Sequence, residues 1–386
     1  MSINRRDFLK IAGASALMSD AVLSAAPAEA RVWTKAGTVQ LPGTIMMPKK
    51  TGRKNNTISC GYHESYALRS DGYVFTCGYG AAGAGNYNKY STFTPCPGIS
   101  NITSVVGLEW TAGALALRSD GMVFVTGNDG YGWFGINFGG GGSAVNFVIS
   151  TTISNVVAVA GGFYFALALR SDGLLFGCGN NSAGQLGLGN TADQSSFTQC
   201  LGLSNISAIS AAYEQSFALR SDGLLFACGY NYYYQLGIGS NVWQSSFVQV
   251  PGLSNIVAVA AGFHDTFALR SDGVVFSCGY NHWGELGLGD HYERSSFTQI
   301  PGISNIISIA PSMLLRGDGL VFMPNSTSSF VQVVGLSNIV SCSNNDGMSL
   351  ALRSDGVLLA SGANQYGQLG IGNTVNQSSF VQSIGF

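Results

Sequence analysis

The strongest constraint on this chain is a short motif that recurs seven times. The tripeptide Ser-Asp-Gly, once replaced by Gly-Asp-Gly, places aspartates 49, 52, 50, 50, 46 and 37 residues apart, at Asp71, Asp120, Asp172, Asp222, Asp272, Asp318 and Asp355. Sequence periods of about 20–50 residues are typical of solenoids and propellers, in which each repeat is one supersecondary unit. A chain of 386 residues that is built this way can form one closed domain.

Two columns of apolar residues share this period. Four positions after each aspartate stand Phe75, Phe124, Phe176, Phe226, Phe276, Phe322 and Leu359. A second column, mostly after Ser-Ser, holds Phe93, Phe147, Phe197, Phe247, Phe297, Phe330 and Phe380. Thirteen of the 22 phenylalanines therefore belong to the repeat.

The sequence of each unit predicts four short strands, and the fifth unit shows the pattern best. The apolar run 256–260 predicts a strand buried on both faces. The runs 266–269 and 274–276 flank Ser-Asp-Gly, and Asp-Gly between apolar runs is a strong hairpin signal because glycine accepts a positive φ. A fourth strand is expected around 297–300. Seven such units predict an all-β fold, a seven-bladed β-propeller of four-stranded antiparallel blades over residues 55–386.

Composition agrees with this architecture. Glycine is abundant, with 53 residues, and only 10% of the chain is charged, whereas an ordinary domain has about 25% charged residues. Few charges and no heptads exclude a coiled coil, and the low net charge excludes a disordered chain. The apolar 46% is sufficient for a core.

Several segments resemble the repeats of the regulator of chromosome condensation family. They are the Leu-Arg-Ser-Asp-Gly hairpins, the segment 184–189 (Gly-Gln-Leu-Gly-Leu-Gly) with its echoes at 234–239, 284–289 and 367–372, and the segment 251–256 (Pro-Gly-Leu-Ser-Asn-Ile). The resemblance covers nearly everything from about residue 55 onward and implies the propeller fold. It also implies a binding role, because the eukaryotic founders are nucleotide-exchange factors for a small GTPase and other members are secreted scaffolds that inhibit β-lactamases. The family's usual histidine after the first strand is replaced by Glu64, Gln215 or Asp265.

The first thirty residues resemble a twin-arginine signal peptide. Arg5 and Arg6 precede Phe-Leu-Lys, a modestly apolar stretch follows, and Ala-Glu-Ala closes the segment at Ala30. We therefore expect export of the folded protein to the periplasm or the medium. No later stretch approaches 18 consecutive apolar residues, so we expect no transmembrane segment in the mature chain.

Charge is divided unevenly along the remaining chain. The extension 31–54 carries six basic residues and no acidic ones, whereas residues 55–386 carry 9 basic and 17 acidic residues. A propeller with a net charge of −8 repels phosphate backbones, so we expect no nucleic-acid partner. The extension either binds an anionic surface or lies on the acidic propeller, and we favour the second interpretation because it needs no outside partner.

Signatures of an enzyme are missing from the sequence. The glycine-rich segments recur with the repeat and are not followed by a predicted helix, so repeat geometry explains them better than phosphate binding. Four histidines and seven equivalent aspartates do not suggest a catalytic site. We expect no cofactor and no metal, although one loop contains residue types that suit a metal, namely His282, Glu285, Asp290, His291 and Glu293.

The cysteines, four of which share one repeat position, are interpreted as small buried residues rather than as members of disulfides. The alternative is a disulfide between Cys60 and Cys77.

The loops between third and fourth strands differ most between units and are rich in aromatic residues. Equivalent loops of a propeller emerge on one side, and Tyr and Trp are typical of binding surfaces. The candidate partner-binding residues are Tyr131, Trp133, Tyr232, Tyr233, Tyr234, Trp243, His282, Trp283, Tyr292 and Tyr366. The sequence thus predicts an exported, monomeric, non-enzymatic scaffold that binds another protein, with packing of these rings between blades as the alternative for single residues. Carbohydrate or envelope-glycan binding and guanine-nucleotide exchange remain as alternative functions.

Overall fold

The computed structural model describes residues 44–46, 57–81, 83–86, 88–108, 113–129, 142–345 and 347–386. These residues form a seven-bladed propeller, so the predicted fold is confirmed. Each blade is a four-stranded antiparallel sheet whose strands pair in chain order. One 3-10 turn, Tyr79–Ala81, is the only helical element in the described residues.

The strands of the first four blades have the following bounds. Blade 1 contains β2 (Thr57–Cys60), β3 (Glu64–Leu68), β4 (Val74–Gly78) and β5 (Tyr90–Pro95). Blade 2 contains β6 (Ile102–Gly107), β7 (Ala114–Arg118), β8 (Val123–Asp129) and β9 (Gly142–Ile149). Blade 3 contains β10 (Val156–Gly161), β11 (Phe165–Arg170), β12 (Leu175–Gly179) and β13 (Gln194–Gln199). Blade 4 contains β14 (Ile206–Ala212), β15 (Gln215–Arg220), β16 (Leu225–Gly229) and β17 (Gln244–Gln249).

The last three blades complete the ring. Blade 5 contains β18 (Ile256–Ala261), β19 (Asp265–Arg270), β20 (Val275–Gly279) and β21 (Arg294–Gln299). Blade 6 contains β22 (Ile306–Ala310), β23 (Met313–Arg316), β24 (Val321–Pro324) and β25 (Phe330–Gln332). Blade 7 contains β26 (Ile339–Asn344), β27 (Met348–Arg353), β28 (Leu358–Gly362) and β29 (Gln377–Gln382).

The ring is closed through the first strand of every blade. Each of these strands contacts the first strand of the next blade, and β26 of blade 7 contacts β2 of blade 1. The C-terminal residues strengthen this closure, since the Phe93 amide donates to the Ile384 carbonyl at 3.0 Å and the Phe386 ring packs on Phe75 and Phe93. The first strands are apolar because the neighbouring blades cover both of their faces, as the run 256–260 predicts.

The blades are joined by a contact that explains three repeat columns together. In the glycine-rich segment of blade 3, the Gln185 carbonyl accepts hydrogen bonds from the Ser216 hydroxyl at 2.7 Å and the Cys228 thiol at 3.4 Å of blade 4. Two residues later, Gly187 has a φ of 67° and lies against the Phe247 ring of blade 4. Since blade 7 meets blade 1 in the same way through Gln368, Gly370 and Phe93, the columns of glycine, cysteine and phenylalanine all belong to the joints between blades.

All eight cysteines are buried free thiols. Burial raises the pKa of Cys60 to about 12, so the thiol stays protonated at neutral pH. The interpretation of the cysteines as small buried spacers therefore fits the structure, and the alternative Cys60–Cys77 disulfide is not formed.

An additional strand lies on the inner edge of blade 4. This strand, β1 (Thr44–Met46), pairs antiparallel with β14, with Thr44 opposite Ser210 and Met46 opposite Ala208. It also contacts the first strands of blades 3 and 5. Part of the basic extension thus lies at the centre of the ring. The rest of that extension and the predicted signal segment 1–30 lie outside the described residues.

The alternation of strands gives the propeller two different faces. The hairpins between second and third strands, together with the connections between blades, form one side, which we call the hairpin face. The loops between first and second strands (inner loops) and between third and fourth strands (outer loops) form the other side, which we call the loop face. The described part of the chain contains no helix with the length and hydropathy of a membrane span.

Candidate functional site

The outer loops of the loop face are held by a buried asparagine. In blade 4 the Asn231 side chain donates to the carbonyl oxygens of Ser240 at 2.7 Å and Val242 at 3.1 Å, and its oxygen accepts from the Leu236 amide at 2.9 Å. Asn181, Asn281 and Asn364 hold their own loops in the same way. Each of these asparagines follows its hairpin aspartate by nine residues, a signal that the sequence analysis missed. The loops are therefore preorganised supports for the side chains they display.

Aromatic rings from blades 3, 4 and 5 contact one another in a continuous group, which we call the aromatic arc. Its members are Phe163, Tyr164, Tyr213, Tyr230, Tyr232, Tyr233, Trp243, Phe263, His264, Tyr280 and His282. Tyr230 lies near its centre, with ring centroids 4.7 Å from Trp243 and 5.7 Å from Tyr213. Such separations are favourable for tilted aromatic pairs.

Blade 5 joins this arc through Tyr213 and Tyr233 of blade 4. The Tyr233 ring lies 4.4 Å from His264 and 5.2 Å from Tyr280, and Tyr280 lies 4.8 Å from His282. The rings support each other while Tyr232 stays 58% exposed and Trp243 47% exposed. The arc therefore presents aromatic surface to solvent at fixed positions.

The inner loops supply five of the eleven arc residues, and none of the five is among the binding residues predicted from the sequence. These five residues, in the loops that follow the first strands, are Phe163, Tyr164, Tyr213, Phe263 and His264. Their signal was an aromatic residue in the first two positions after the first strand in several units, with His63 and His264 one position before the family's usual histidine. Their neighbours at that usual position connect blades instead, since Glu64 accepts from the Gly113 amide at 3.2 Å and Gln215 donates to the Gly262 carbonyl at 2.7 Å.

Nine of the ten predicted partner-binding residues fall into three groups. Tyr232, Tyr233, Trp243 and His282 belong to the arc. Trp283 and Tyr292 are exposed on the outer loop of blade 5, and Tyr234 is half-buried with a φ of 64°, at a position that glycine occupies in the equivalent loops. Tyr131 and Trp133 lie outside the described residues.

Tyr366 belongs to a second, smaller cluster where blade 7 meets blade 1. Its ring lies 4.4 Å from His63 and 5.1 Å from Tyr79. The Lys89 ammonium lies over both tyrosines, 5.3 Å from the Tyr79 centroid and 5.0 Å from the Tyr366 centroid. This cluster therefore already holds a cation against aromatic faces.

Between these clusters the loop face is interrupted at blade 6. Its outer loop contains only residues 325–329, and its inner loop contains only Pro311 and Ser312. The short outer loop agrees with the sequence pattern, in which only 12 residues separate Asp318 from Phe330. Neither loop carries an aromatic residue, so the arc ends at blade 5.

The polar residues of the fifth outer loop serve the loop itself. Glu285 accepts from the Trp283 amide at 2.9 Å, and Asp290 pairs with Arg294 at 2.5 Å. His291 contacts the Ser328 hydroxyl of blade 6. The described residues contain no group of three or more His, Cys, Asp or Glu side chains that could hold a metal ion.

Charge is distributed differently on the two faces. All seven hairpin arginines pair with the aspartates of their own hairpins, at 2.6–2.9 Å. The described loop face carries seven acidic residues, Glu64, Asp193, Glu214, Asp265, Glu285, Asp290 and Glu293, against two basic residues, Lys89 and Arg294. Burial raises the pKa of Glu64 to about 8, so this carboxyl is largely neutral at pH 7. Among the described residues, the excess of acidic over basic side chains therefore lies on the loop face.

Sequence comparison matches the blades that carry the arc. One profile of the regulator of chromosome condensation (RCC1) repeat matches residues 156–185, and another matches residues 172–219 and 222–269. Blades 3 to 5 carry segments similar to RCC1 repeats. These ranges cover blades 3 and 4 and the first two strands of blade 5. The matches support the resemblance that the hairpins and glycine-rich segments indicate.

Three solved structures share the fold. Human WBSCR16 is 21% identical, with a TM-score of 0.58 over 87% of this chain and 82% of that chain. The structure of Kap60 bound to yeast RCC1 (Prp20) gives 19% identity and a TM-score of 0.55, over 84% of this chain and 74% of that chain. Prp20p from Saccharomyces cerevisiae, described with its binding to Gsp1p and histones, is 18% identical, with a TM-score of 0.54 over 84% of this chain and 76% of that chain. At these identities the likeness shows the propeller architecture alone.

Proposed function

We propose that this protein is an exported, non-catalytic scaffold that binds another protein through the aromatic arc of its loop face. The observation that carries the proposal is the continuous group of tyrosine, tryptophan and histidine rings on blades 3 to 5. Tyr and Trp are enriched in binding hot spots because they offer large contact area with few rotatable bonds. Prp20, whose structure shares this fold, has been solved bound to Kap60 and described with its binding to Gsp1p and histones, so a protein with this fold can bind other proteins.

Packing between blades does not account for the exposed rings. Trp243, Tyr232 and Tyr292 are 47%, 58% and 74% exposed, while the phenylalanines of the blade joints, such as Phe247, are covered by the neighbouring glycine-rich loop. A group of exposed aromatic side chains on a rigid loop support is typical of an interaction surface. The segment 1–30 supports export, because its paired arginines and small-residue end resemble a twin-arginine signal.

The proposal is tested by crosslinked capture from the cell envelope. Wild type, Trp243→Ala, Tyr232→Ala and Tyr73→Ala are compared, because Tyr73 is 46% exposed on the hairpin face and provides a matched aromatic control. The proposal expects one protein that is recovered with wild type and Tyr73→Ala and is strongly reduced with the two arc variants. Equal recovery of every protein with all four chains would contradict it.

A glycan array with the same four chains tests the carbohydrate alternative. Arc-dependent binding of a glycan, with no arc-dependent protein in the capture experiment, would replace protein recognition by glycan recognition. Thermal unfolding of each variant is measured beside both experiments, so that a loss of binding is not confused with a loss of fold.

A further inference from the structure

We propose that the aromatic arc receives a lysine or arginine side chain of the partner protein, with Glu214 as its counter-charge. This inference rests on the proposed function and specifies the chemistry of the partner. The residues that carry it are Glu214, the tyrosines on either side of it, and the basic residues of the loop face, which are engaged elsewhere.

Glu214 lies inside the arc rather than at its edge. It follows Tyr213 in the inner loop of blade 4, and its backbone carbonyl accepts from the Tyr230 amide at 2.8 Å. Its side chain is half-buried, and the Ser182 side chain of blade 3 lies close to it. Burial raises the pKa of Tyr213, and the nearby charge of Glu214 raises it further. Burial and the neighbouring groups, Glu214 among them, raise the pKa of Tyr230 to about 12.

A carboxylate beside several aromatic rings suits a cation. Aromatic faces attract ammonium and guanidinium groups, and a carboxylate adds a charge-assisted hydrogen bond. An anionic ligand would meet both the Glu214 charge and the negative ring faces at once. Burial also raises the pKa of Glu214 itself, and a bound cation would counteract this effect by favouring the ionised carboxylate.

The basic residues of the described loop face are engaged outside the arc. Lys89 lies over Tyr79 and Tyr366 at the junction of blades 7 and 1, and Arg294 pairs with Asp290 at 2.5 Å. The seven hairpin arginines are paired on the opposite face. The Lys89 cluster shows that this loop face holds an ammonium against two tyrosines, which is the arrangement that we propose for the arc with an external side chain.

The inference is tested with fluorescein-labelled peptides of alternating glycine and arginine, or glycine and lysine, by fluorescence anisotropy at low salt. A glycine–glutamate peptide of equal length is the charge control. We expect the two basic peptides to bind wild type and the acidic peptide not to bind. Affinity should fall as salt is raised, because part of the attraction is between exposed charges.

Two charge-removing variants distinguish a specific effect of Glu214 from the general electrostatic attraction of an acidic protein for basic peptides. Glu214→Gln keeps the shape of the side chain and removes its charge, and we expect it to weaken basic-peptide binding about tenfold. Glu293→Gln removes the same charge from the outer loop of blade 5, and we expect a change of less than about twofold. An equal effect of the two variants, binding of the acidic peptide, or no binding of either basic peptide would overturn the inference.

The same experiment shows whether the chain's own basic extension competes with the basic peptides for the proposed site. A full-length variant with Arg31, Lys35, Lys49, Lys50, Arg53 and Lys54 all changed to glutamine is compared with wild type. Tighter peptide binding by this variant, abolished by adding Glu214→Gln, would show that the extension occupies the proposed site. A captured protein that is lost with Trp243→Ala but kept with Glu214→Gln would overturn the role of Glu214 while leaving the proposed function intact.

Discussion

The hairpin face and the loop face are built by the same seven repeats, yet only one of them is uniform. On the hairpin face every arginine pairs with its aspartate, and six of the seven also lie over a phenylalanine ring, at 4.7–5.3 Å. On the loop face, blade 4 carries five arc residues, whereas blade 6 carries none. The difference indicates that the hairpins maintain the fold, while the loops are free to vary for recognition.

The largest expected effect concerns the joints between blades. Gly237→Ala places a Cβ 2.5 Å from the Phe297 ring at a residue with a φ of 67°, so steric overlap adds to backbone strain. Gly252→Ala is the matched control, because its φ is 75° but no atom lies within 4 Å of the added Cβ. We expect destabilisation of about 3 kcal/mol for Gly237→Ala and about 1 kcal/mol for Gly252→Ala in denaturant unfolding. Equal losses would show that the joint is not tightly packed.

The second effect is a pH dependence that originates in blade 1. Burial raises the pKa of Glu64 to about 8 in the folded chain, above its ordinary value of 4.5 in the unfolded chain. Between these values the folded state holds a proton that the unfolded state has lost, so stability falls as pH rises, by up to about 1.4 kcal/mol per pH unit. Glu64→Gln, which copies Gln215 of blade 4, should reduce this slope. An unchanged slope between pH 5 and pH 8 would contradict the assignment.

The third effect is large for binding and small for stability. Trp243→Ala removes a half-exposed ring of the arc, and we expect about a tenfold loss of affinity for the captured partner with less than about 1 kcal/mol of destabilisation. Tyr73→Ala on the hairpin face should change neither quantity appreciably. Isothermal titration calorimetry measures the affinity of each variant, and thermal unfolding measures its stability. A similar loss of affinity for both variants would remove the distinction between the faces.

The smallest effect is expected for a single hairpin ion pair. Arg270 and Asp272 are solvent-exposed and lie 2.9 Å apart, so Arg270→Ala should lower the free energy of unfolding only slightly, and the loss should shrink at high salt. Urea unfolding of both chains at low and high salt measures this difference. A large loss that salt does not change would mean that packing of the arginine on Phe276 dominates.

The strands and turns were predictable from the sequence because the same apolar runs and Asp-Gly turns recur in all seven units. The strand β19 and the hairpin after it lie where the apolar runs and Asp-Gly place them. The joints were not predicted, since they connect residues of different blades, such as Gly187 and Phe247, that no local pattern relates. Tyr232, Tyr233, Trp243 and His282 of the arc were predicted from the aromatic composition of the outer loops, whereas Tyr230 and Tyr280 of the same loops were not among the predicted binding residues. The inner-loop residues were missed because those loops contain only two or three residues, and their closeness to the outer loops depends on how the chain folds into blades.

The extension also shows the limit of local reasoning. The strand that the structure contains is Thr44–Met46, and it pairs with blade 4 at the centre of the ring. Its three residues carry no repeat pattern. The sequence therefore does not show that they pair with the first strand of blade 4.

The central claim is that recognition takes place on the loop face at blades 3 to 5. The most direct measurement is site-specific photocrosslinking with benzoylphenylalanine placed at position 232 or at position 73, since both tyrosines are exposed, on opposite faces. We predict that position 232 yields a crosslinked protein partner and that position 73 yields none. A partner crosslinked at position 73, or equally at both positions, would contradict the account.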